Sequence, residues 1–226
     1  MNWLLALFLA IVISYLLGSI NFAVIVSKIF AREDVRNMGS GNAGMTNVIR
    51  SVGLLPGIIT FLGDFLKGIA APVIGKYLLF PIVFESAPEG IATYLSPTYG
   101  LYICGFFCII GHAYPIFFGF RGGKGVSTSI AVLYCINWVV ATFVLLTFLT
   151  IFLITKIISI GSIVGAFEFS VFNLFINMKT DLPMGEFVYI IILSVATSLV
   201  VILKHKQNII RLHRGEEKQL SSRKQG

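Results

Sequence analysis

The chain has 226 residues, of which 57% are hydrophobic and only 12% are charged. A soluble domain carries about 25% charged residues, so the composition excludes an ordinary soluble protein and indicates a helical protein embedded in a membrane. The formal net charge is +7. Its basic residues are concentrated in a few loops, which points to orientation across a bilayer and not to nucleic acid as a partner.

Apolar stretches follow one another along the whole chain. A single crossing needs about 20 residues, which every stretch except the fourth approximates. No basic residue precedes the first stretch, so we expect a membrane span there and not a cleaved signal peptide. The stretches cover residues of about 3–26, 57–81, 98–118, 126–155, 157–177 and 186–203.

The distribution of basic residues predicts the topology. Lys28, Arg32 and Arg36 follow the first stretch at once, and the tail beyond Lys204 is strongly basic, so both segments should be cytoplasmic. An even number of crossings must then join the second inner loop to the tail, which requires the fourth stretch to turn near Asn137-Trp138 and form two short spans. The alternative is a re-entrant hairpin, which leaves every loop on the same side.

The predicted architecture is therefore an all-α polytopic membrane bundle of about seven transmembrane spans. Its N-terminus lies outside and its C-terminus inside. We expect residues 1–226 to form a single integral-membrane domain. Polar residues are concentrated in three segments: the first inner loop, the second inner loop and the tail. All three segments then face the cytoplasm, which predicts one site there.

The first polar segment runs from Gly39 to Arg50. Glycines let its backbone turn freely and present N–H groups to a ligand, while Arg50 adds a planar cation suited to phosphate. Nothing in the segment is acidic, so it is predicted to bind an anion. The residues proposed for this role besides Arg50 are Gly39, Ser40, Gly41, Asn42, Gly44, Thr46 and Asn47.

The second polar segment, residues 111–128, contains a glycine turn around a lysine. Gly122, Gly123 and Gly125 surround Lys124, with Arg121 just before them. A helix is predicted to begin right after the turn, and a helix N-terminus favours phosphate. The local sequence favours a phosphate site and a flexible basic turn about equally.

The third polar segment is the tail, residues 204–218. His205 and Asn208 are three positions apart and share a face if the last span continues as a helix, and Arg211 extends that face. Glu217 lies further along the same segment. The alternative for this segment is a basic stretch held to anionic lipid.

Asp64 and Lys67 lie in the middle of the second apolar stretch. Asp64 and Lys67 are at i and i+3, and charges inside a membrane are costly and usually face the bundle interior. Two interpretations are open: the residues pair with each other, or Asp64 orients a cation of the site such as Arg50 or Lys124. A supporting role is favoured over direct chemistry.

Neither a metal nor a cofactor is expected. The histidines, His112, His205 and His213, lie in different segments without a carboxylate at ligand spacing. The cysteines, Cys104, Cys108 and Cys135, lie in apolar stretches and are interpreted as packed thiols.

With these segments in view, the chain resembles the bacterial acyl-phosphate-dependent glycerol-3-phosphate acyltransferases. The resemblance extends from about Gly18 to Glu217. Its motifs are Gly39-Ser40-Gly41-Asn42-x-Gly44-x-Thr46-Asn47-Val48-x-Arg50, Gly63-Asp64-x-x-Lys67-Gly68, Gly111-His112-x-x-Pro115-x-Phe117, Gly122-Gly123-Lys124-Gly125-Val126 and Asn208-Ile209-x-Arg211-Leu212-x-x-Gly215-x-Glu217.

The resemblance implies a seven-span enzyme of the bacterial inner membrane with its active site facing the cytoplasm. Such an enzyme moves a fatty acyl group from acyl phosphate to glycerol 3-phosphate, and its partners are these two substrates, the bilayer and the enzyme that produces acyl phosphate. The rival interpretation is a small transporter or channel for a phosphorylated metabolite. Against it, the polar residues cluster on one face and do not line a path to the other.

The resemblance also implies roles for residues. Ser40, Arg50, Lys124 and His205 are the predicted catalytic residues, while Asp64, Lys67 and His112 support them. Lys124 would bind the donor phosphate, and Arg50, His205 and Asn208 would hold glycerol 3-phosphate. Ser40 is expected to donate a hydrogen bond and not to form an acyl-enzyme, since no His–Asp partner lies beside it in sequence. The remaining substrate-binding predictions are Arg121, Arg211, Glu217 and the glycines and amides of the two loops.

Overall fold

A computed structural model of the chain describes residues 2–92, 96–180 and 182–219. Within these residues the secondary structure is helical, with no strand. The α-helices are α1 (Trp3–Ser19), α2 (Phe22–Ala31), α3 (Met45–Ser51), α4 (Leu54–Ile74), α5 (Phe80–Ser86), α6 (Glu89–Ala92), α7 (Pro97–Ala113), α8 (Val126–Ile136), α9 (Trp138–Thr155), α10 (Ile158–Asn177), α11 (Met184–Lys204) and α12 (Lys206–His213).

The chain divides into two compact units. The first ends at Ile136 and contains α1 to α8, and the second begins at Asn137 and contains α9 to α12. The first unit thus holds the first two polar segments, and the second unit holds the third. That residues 1–226 act as a single domain stays a prediction.

In the first unit, α1 packs against α7 through glycine. A Cβ on Gly18 would lie 2.1 Å from the carbonyl oxygen of Cys108, and one on Gly111 would lie 2.2 Å from that of Tyr15. Both distances are shorter than any real Cβ contact, so the two backbones approach as closely as they do because side chains are missing there. Small residues commonly permit such close packing between helices in membranes.

The first apolar stretch is not one continuous helix. It breaks at Ile20 and Asn21, between α1 and α2, and the Asn21 side chain caps α2 by accepting from Val24 N at 3.1 Å. The break releases the carbonyl of Ile20 from the helical ladder. This carbonyl becomes part of the polar cluster described below.

The fourth apolar stretch also breaks, and it does so where the sequence predicts. Asn137 separates α8 from α9, and its side chain accepts from the backbone N–H groups of Val139 and Val140 at 3.1 and 3.2 Å. The break in the helix is therefore where the sequence places it, whereas the reversal of the chain at this point stays a prediction. Helix α8 has 11 residues and is about 16 Å long, about half the thickness of a bilayer core, so the count of seven spans stays a prediction.

The described residues contain six helical segments that are long and apolar enough to cross a membrane. Their outer faces suit lipid: Phe8, Phe143 and Phe167 are each at least 57% exposed. The prediction of an all-helical, multi-pass membrane protein is confirmed. The segments are Trp3–Ala31, Leu54–Ser86, Thr98–Phe118, Trp138–Thr155, Ile158–Asn177 and Met184–Lys204.

In the second unit, α10 packs against α9 and α11. Ser170 on α10 forms a hydrogen bond with Ser198 on α11 at 2.6 Å, and it also donates to the carbonyl of Ser194 at 3.1 Å. Hydroxyl pairs of this kind are satisfied within the protein, since a membrane core offers them no water.

Candidate functional site

The first glycine loop consists of residues 39–44, and the buried side chain of Asn47 holds it in place. This side chain is 1% exposed, and its amide nitrogen donates to the carbonyls of Val35 and Met38 at 2.9 and 3.0 Å. Its amide oxygen accepts from the backbone N–H of Ser40 at 2.9 Å. Asn47 therefore forms hydrogen bonds through both its amide nitrogen and its amide oxygen, and these bonds fix the conformation of the loop.

Glycine is required where the loop turns over Asn47. Gly39 has φ +54° and Gly41 has φ +71°, a region that residues with a Cβ rarely adopt. A Cβ on Gly39 would also lie 2.4 Å from the Asn47 amide oxygen. The sequence predicted free backbone turning here, and the structure confirms it.

Two exposed side chains of the first polar segment remain available to a ligand. Ser40 and Arg50 are exposed, and within residues 2–92, 96–180 and 182–219 neither the Ser40 hydroxyl nor the Arg50 guanidinium has a hydrogen-bond or ion-pair partner. Thr46 is partly exposed in the first turn of α3, and Arg50 is in its last turn. A hydroxyl and a cation that the protein leaves unused are suited to an incoming phosphate.

Arg36 joins the first loop to the second. Its Nε and Nη2 donate to the two oxygens of Asp34 at 2.9 and 2.7 Å, and its Nη1 donates to the carbonyls of Phe118 and Arg121 at 2.6 and 3.1 Å. The hydrogen bonds from Arg36 hold the pKa of Asp34 below its ordinary value and raise that of Arg36. From the sequence, Arg36 is expected only to set the topology, although a carboxylate two positions from an arginine indicates a paired arrangement of this kind.

The second loop packs closely against the first and against His112. A Cβ on Gly123 would lie 2.3 Å from His112 Nε2 and 2.4 Å from the carbonyl oxygen of Ala43, and the Gly123 N–H donates to the carbonyl of His112 at 3.2 Å. Only a residue without a side chain fits between them. Gly123 thus brings the two glycine loops into contact.

The lysine of the second loop stands just before a helix, as predicted. Lys124 is partly buried, Gly125 adopts φ +81°, and α8 begins at Val126. Ser129 N donates to the carbonyl of Gly125 at 2.7 Å, which closes the first turn. A cation beside a helix N-terminus is a suitable arrangement for phosphate.

A buried polar cluster lies behind these loops. Asp64 Oδ1 is 2.7 Å from Lys67 Nζ and 3.4 Å from His112 Nδ1. Lys67 Nζ is also 3.0 Å from His112 Nδ1 and donates to the freed carbonyl of Ile20 at 2.6 Å. All three side chains are at most 5% exposed. Of the two interpretations left open by the sequence, Asp64 pairing with Lys67 is the one observed, and the other side chain that Asp64 contacts is His112.

The tail in the second unit is organised around Glu217. Its carboxylate accepts from Asn208 Nδ2, from Ser159 Oγ at 2.8 Å and from Arg211 Nε at 2.7 Å. Burial alone would raise the pKa of Glu217, but these hydrogen bonds lower it overall. Asn208, Arg211 and Glu217 were predicted to bind substrate, and the structure shows them bonded to one another. Ser159 was missed because nothing near it in sequence points to the tail.

His205 stands at the junction of α11 and α12 and is 1% exposed. Its Nδ1 is 2.7 Å from the carbonyl of Val201, which can only accept, so the ring proton is on Nδ1. In the neutral ring Nε2 is then the basic nitrogen. This tautomer is the one that a general base or acceptor at Nε2 requires.

The described structure therefore groups the predicted residues into three sets. In the first unit, the two loops meet at Gly123 and the supporting cluster lies behind them. In the second unit, His205, Asn208, Arg211 and Glu217 form the end of α11 and the tail. The two loops and the buried cluster are joined through His112, which contacts Gly123 on one side and Asp64 and Lys67 on the other.

Comparison with known proteins identifies the family. The family model described as glycerol-3-phosphate acyltransferase matches residues 8–215. The chain belongs to the glycerol-3-phosphate acyltransferase family. Its curated relatives include the glycerol-3-phosphate acyltransferase of Clostridioides difficile strain 630, with 38% identity over 214 residues and 95% of each chain covered. The corresponding protein of Finegoldia magna is 34% identical over 220 residues, covering 97% of this chain and 98% of the relative.

Solved structures agree with this assignment. The chain is similar to PlsY (YgiH), an integral membrane glycerol 3-phosphate acyltransferase, in its glycerol 3-phosphate form, with a TM-score of 0.76, 32% identity and 94% of each chain covered. The lysophosphatidic acid form of the same protein gives a TM-score of 0.74 and 31% identity. The resemblance found from sequence motifs is confirmed at the level of the family.

Proposed function

We propose that this protein transfers a fatty acyl group from acyl phosphate to glycerol 3-phosphate. The products are 1-acyl-glycerol 3-phosphate and inorganic phosphate, and the reaction is the first acylation of phospholipid synthesis. The family match over residues 8–215 carries the acyl transfer to glycerol 3-phosphate. Acyl phosphate as the donor rests on the motif resemblance and on the two glycine loops.

The reaction needs orientation and charge neutralisation more than a covalent intermediate. The glycerol hydroxyl oxygen attacks the acyl carbonyl carbon and forms the ester bond, the bond from that carbon to the phosphate oxygen breaks, and the phosphate leaves with the electron pair. The hydroxyl proton passes to a base. Because acyl phosphate is already activated, cations and N–H groups placed at the leaving phosphate and the developing oxyanion supply the catalysis.

In the first unit, the two loops have the chemistry that this step needs. Ser40 lies on the first loop and Arg50 in the last turn of α3, and within the described residues neither side chain has a hydrogen-bond or ion-pair partner; Lys124 follows the contact at Gly123. We assign Ser40 and Lys124 to the donor phosphate and Arg50 to glycerol 3-phosphate. Ser40 acts as a hydrogen-bond donor, because within the described residues its hydroxyl contacts no base that could activate it.

In the second unit, His205 and Asn208 are assigned to glycerol 3-phosphate. The Nδ1 proton of His205 is used by Val201, which supports Nε2 as an acceptor for the hydroxyl proton. Arg211 and Glu217 act on Asn208 as positioning residues, since Glu217 bonds to both of the others.

The proposal includes an orientation in the bacterial inner membrane. The N-terminus lies outside, the tail lies inside, and α8 with α9 forms an out-and-back pair that makes the number of crossings even. This arrangement follows from the basic residues of the first two polar segments and the tail. The active site then faces the cytoplasm.

Purified protein in detergent, given palmitoyl phosphate and glycerol 3-phosphate, tests the reaction. We expect phosphate release that requires both substrates and produces one acylated glycerol phosphate per phosphate. Palmitoyl-CoA in place of palmitoyl phosphate is expected to give none. Activity with palmitoyl-CoA would overturn the donor assignment while keeping the acceptor.

A second measurement addresses the rival class. Proteoliposomes are given labelled glycerol 3-phosphate with no acyl donor. Uptake without any acyl transfer in the first assay would replace the enzyme by a transporter. Acyl transfer without uptake supports the proposal.

A further inference from the structure

A basic cleft lies on the first unit beside the loops. It has a volume of about 560 Å³, within the range of pockets that hold small ligands. Ser40, Arg50 and Lys124 are not among its lining residues, so it is distinct from the proposed catalytic groups. Its lining consists of Lys28, Asp34, Arg36, Asn37, Phe117, Phe118, Gly119 and Arg121.

The cations of the cleft are of two kinds. The guanidinium of Arg36 is used by Asp34 and by two backbone carbonyls. The side chains of Lys28 and Arg121 are exposed, and across the described ranges neither has a hydrogen-bond or ion-pair partner. The charged residues of the lining are three cations and Asp34, so the cleft has a net positive charge and attracts an anion.

The position of the cleft in the chain places it at the bilayer surface. Lys28 is in the last turn of the helical segment Trp3–Ala31, and Phe117 closes the segment Thr98–Phe118. Both segments are candidate membrane spans. Ile29, next to Lys28, is 70% exposed, and Phe117 is 60% exposed. A ligand for this cleft therefore meets cations together with the exposed ring of Phe117, and the exposed Ile29 is next to Lys28 in the sequence.

We infer that the cleft binds the phosphate group of an anionic membrane lipid through Lys28 and Arg121, with its acyl chains lying along the exposed apolar side chains. A free phosphate ion would use the cations but would gain nothing from Phe117 or Ile29. An anionic lipid uses both, and its headgroup lies at the depth where long basic side chains end.

Arg36 connects this cleft to the second glycine loop. Arg36 lines the cleft, and its Nη1 bonds to the carbonyls of Phe118 and Arg121, which connect the cleft to the turn that contains Gly123. Arg121 is three positions before Lys124, so a lipid held by Arg121 is bound to the same loop that carries Lys124. From its sequence Arg121 is predicted to bind substrate, whereas in the cleft its side chain takes a lipid ligand.

The experiment compares lipid binding to the purified protein in detergent. Native mass spectrometry measures the dissociation constants of phosphatidylglycerol and of phosphatidylcholine, which have similar acyl chains but differ in net charge. We expect tighter binding of phosphatidylglycerol to the unaltered protein. In the double variant Lys28→Gln/Arg121→Gln that preference should fall by about tenfold or more, because each basic residue near an anionic surface contributes roughly a fivefold gain.

A matched control removes the same charge elsewhere. Lys206 and Arg214 are both exposed and belong to the basic tail of the second unit. The variant Lys206→Gln/Arg214→Gln is expected to keep the preference for phosphatidylglycerol. The charge-conserving variant Lys28→Arg/Arg121→Lys should keep it too, and thermal unfolding in detergent shows whether each variant is folded.

Several outcomes would overturn the inference. An unchanged preference in the Lys28→Gln/Arg121→Gln variant would exclude these residues as the lipid site. An equal loss of the preference in both glutamine variants would mean that it depends on the net charge of the protein and not on this cleft. Displacement of phosphatidylglycerol by an equal concentration of inorganic phosphate would assign the cleft to free phosphate. Acyl transfer is measured separately, so a failure of this inference leaves the proposed reaction standing.

Discussion

The first glycine loop and the polar cluster behind it contain similar residue types but use them differently. In the cluster, Asp64, Lys67 and His112 are buried and bonded to one another. In the loop, Asn47 is used by the backbone, while Ser40 and Arg50 at the surface have no partner in the described structure. Polar groups that the protein uses itself build the scaffold, and polar groups that it leaves unused are suited to a ligand.

The largest expected effect is on the cluster. Lys67→Met leaves the Asp64 carboxylate buried without its closest cation, and breaking a buried pair on one side costs about 3–5 kcal/mol. We expect a marked loss of stability in thermal unfolding of the protein in detergent. The double variant Asp64→Asn/Lys67→Met removes both charges and should be more stable than Lys67→Met alone.

If the double variant proves less stable than Lys67→Met, the Asp64 carboxylate stabilises the protein through a partner other than Lys67. The contact of Asp64 with His112 would then be the more important one.

Arg50→Ala tests the opposite half of the comparison. Because Arg50 is exposed and makes no hydrogen bond or ion pair within the described residues, its loss should leave the unfolding temperature nearly unchanged. Arg50 is assigned to glycerol 3-phosphate, and a hydrogen bond to a charged group contributes about 1.5–3 kcal/mol, so its loss should lower kcat/KM for this substrate by about 10–10². Steady-state kinetics with varied glycerol 3-phosphate measures this, and Arg50→Lys should recover part of it.

A variant Arg50→Ala with full activity would remove Arg50 from the site. A variant that is inactive and also unfolded would show that the residue belongs to the scaffold instead.

Gly123→Ala tests the contact between the two regions. The added Cβ would lie 2.3 Å from His112 Nε2 and 2.4 Å from the Ala43 carbonyl, so the loops must move apart. Overpacking of this kind costs about 1–3 kcal/mol. We expect a lower kcat and a smaller loss of stability than for Lys67→Met.

Gly90→Ala is the control, since a Cβ there meets nothing within 4 Å. Equal effects of the two substitutions would mean that the loss of glycine itself, and not the contact with His112, is responsible.

The smallest effect is expected in the tail. The pKa of Glu217 is lowered in the folded protein, so its contribution to stability is complete above the ordinary pKa of about 4.5 and is lost as the pH falls through the lowered value. Glu217→Gln should reduce stability by up to about 1 kcal/mol at neutral pH and should flatten the acid limb of the stability curve.

Thermal unfolding of both proteins between neutral and acid pH measures the difference. If their curves stay parallel down to acid pH, Glu217 does not contribute through its charge. Arg211→Gln provides a check, because it removes a partner of the same carboxylate.

The sequence alone determined the class of the protein and most of its helices. Long apolar stretches can be satisfied in a membrane only as helices, so their positions followed from composition, and the break at Asn137 followed from charge parity. The glycine motifs identified the family, which the match over residues 8–215 confirms. Positive φ angles at Gly39 and Gly41 also followed from residue type.

Only the tertiary structure decided how each polar residue is used. Nothing local in the sequence brings Arg36 to the carbonyls of Phe118 and Arg121, 82 and 85 positions away, or Ser159 to Glu217. The same holds for His112 on α7, whose Nδ1 lies 3.4 Å from Asp64 Oδ1 on α4. Residue type fixes which hydrogen bonds a side chain can make, but the packing of distant segments fixes which of these bonds are made within the protein. Polar groups whose bonds are made belong to the scaffold, and those whose bonds are not made are candidates for the site.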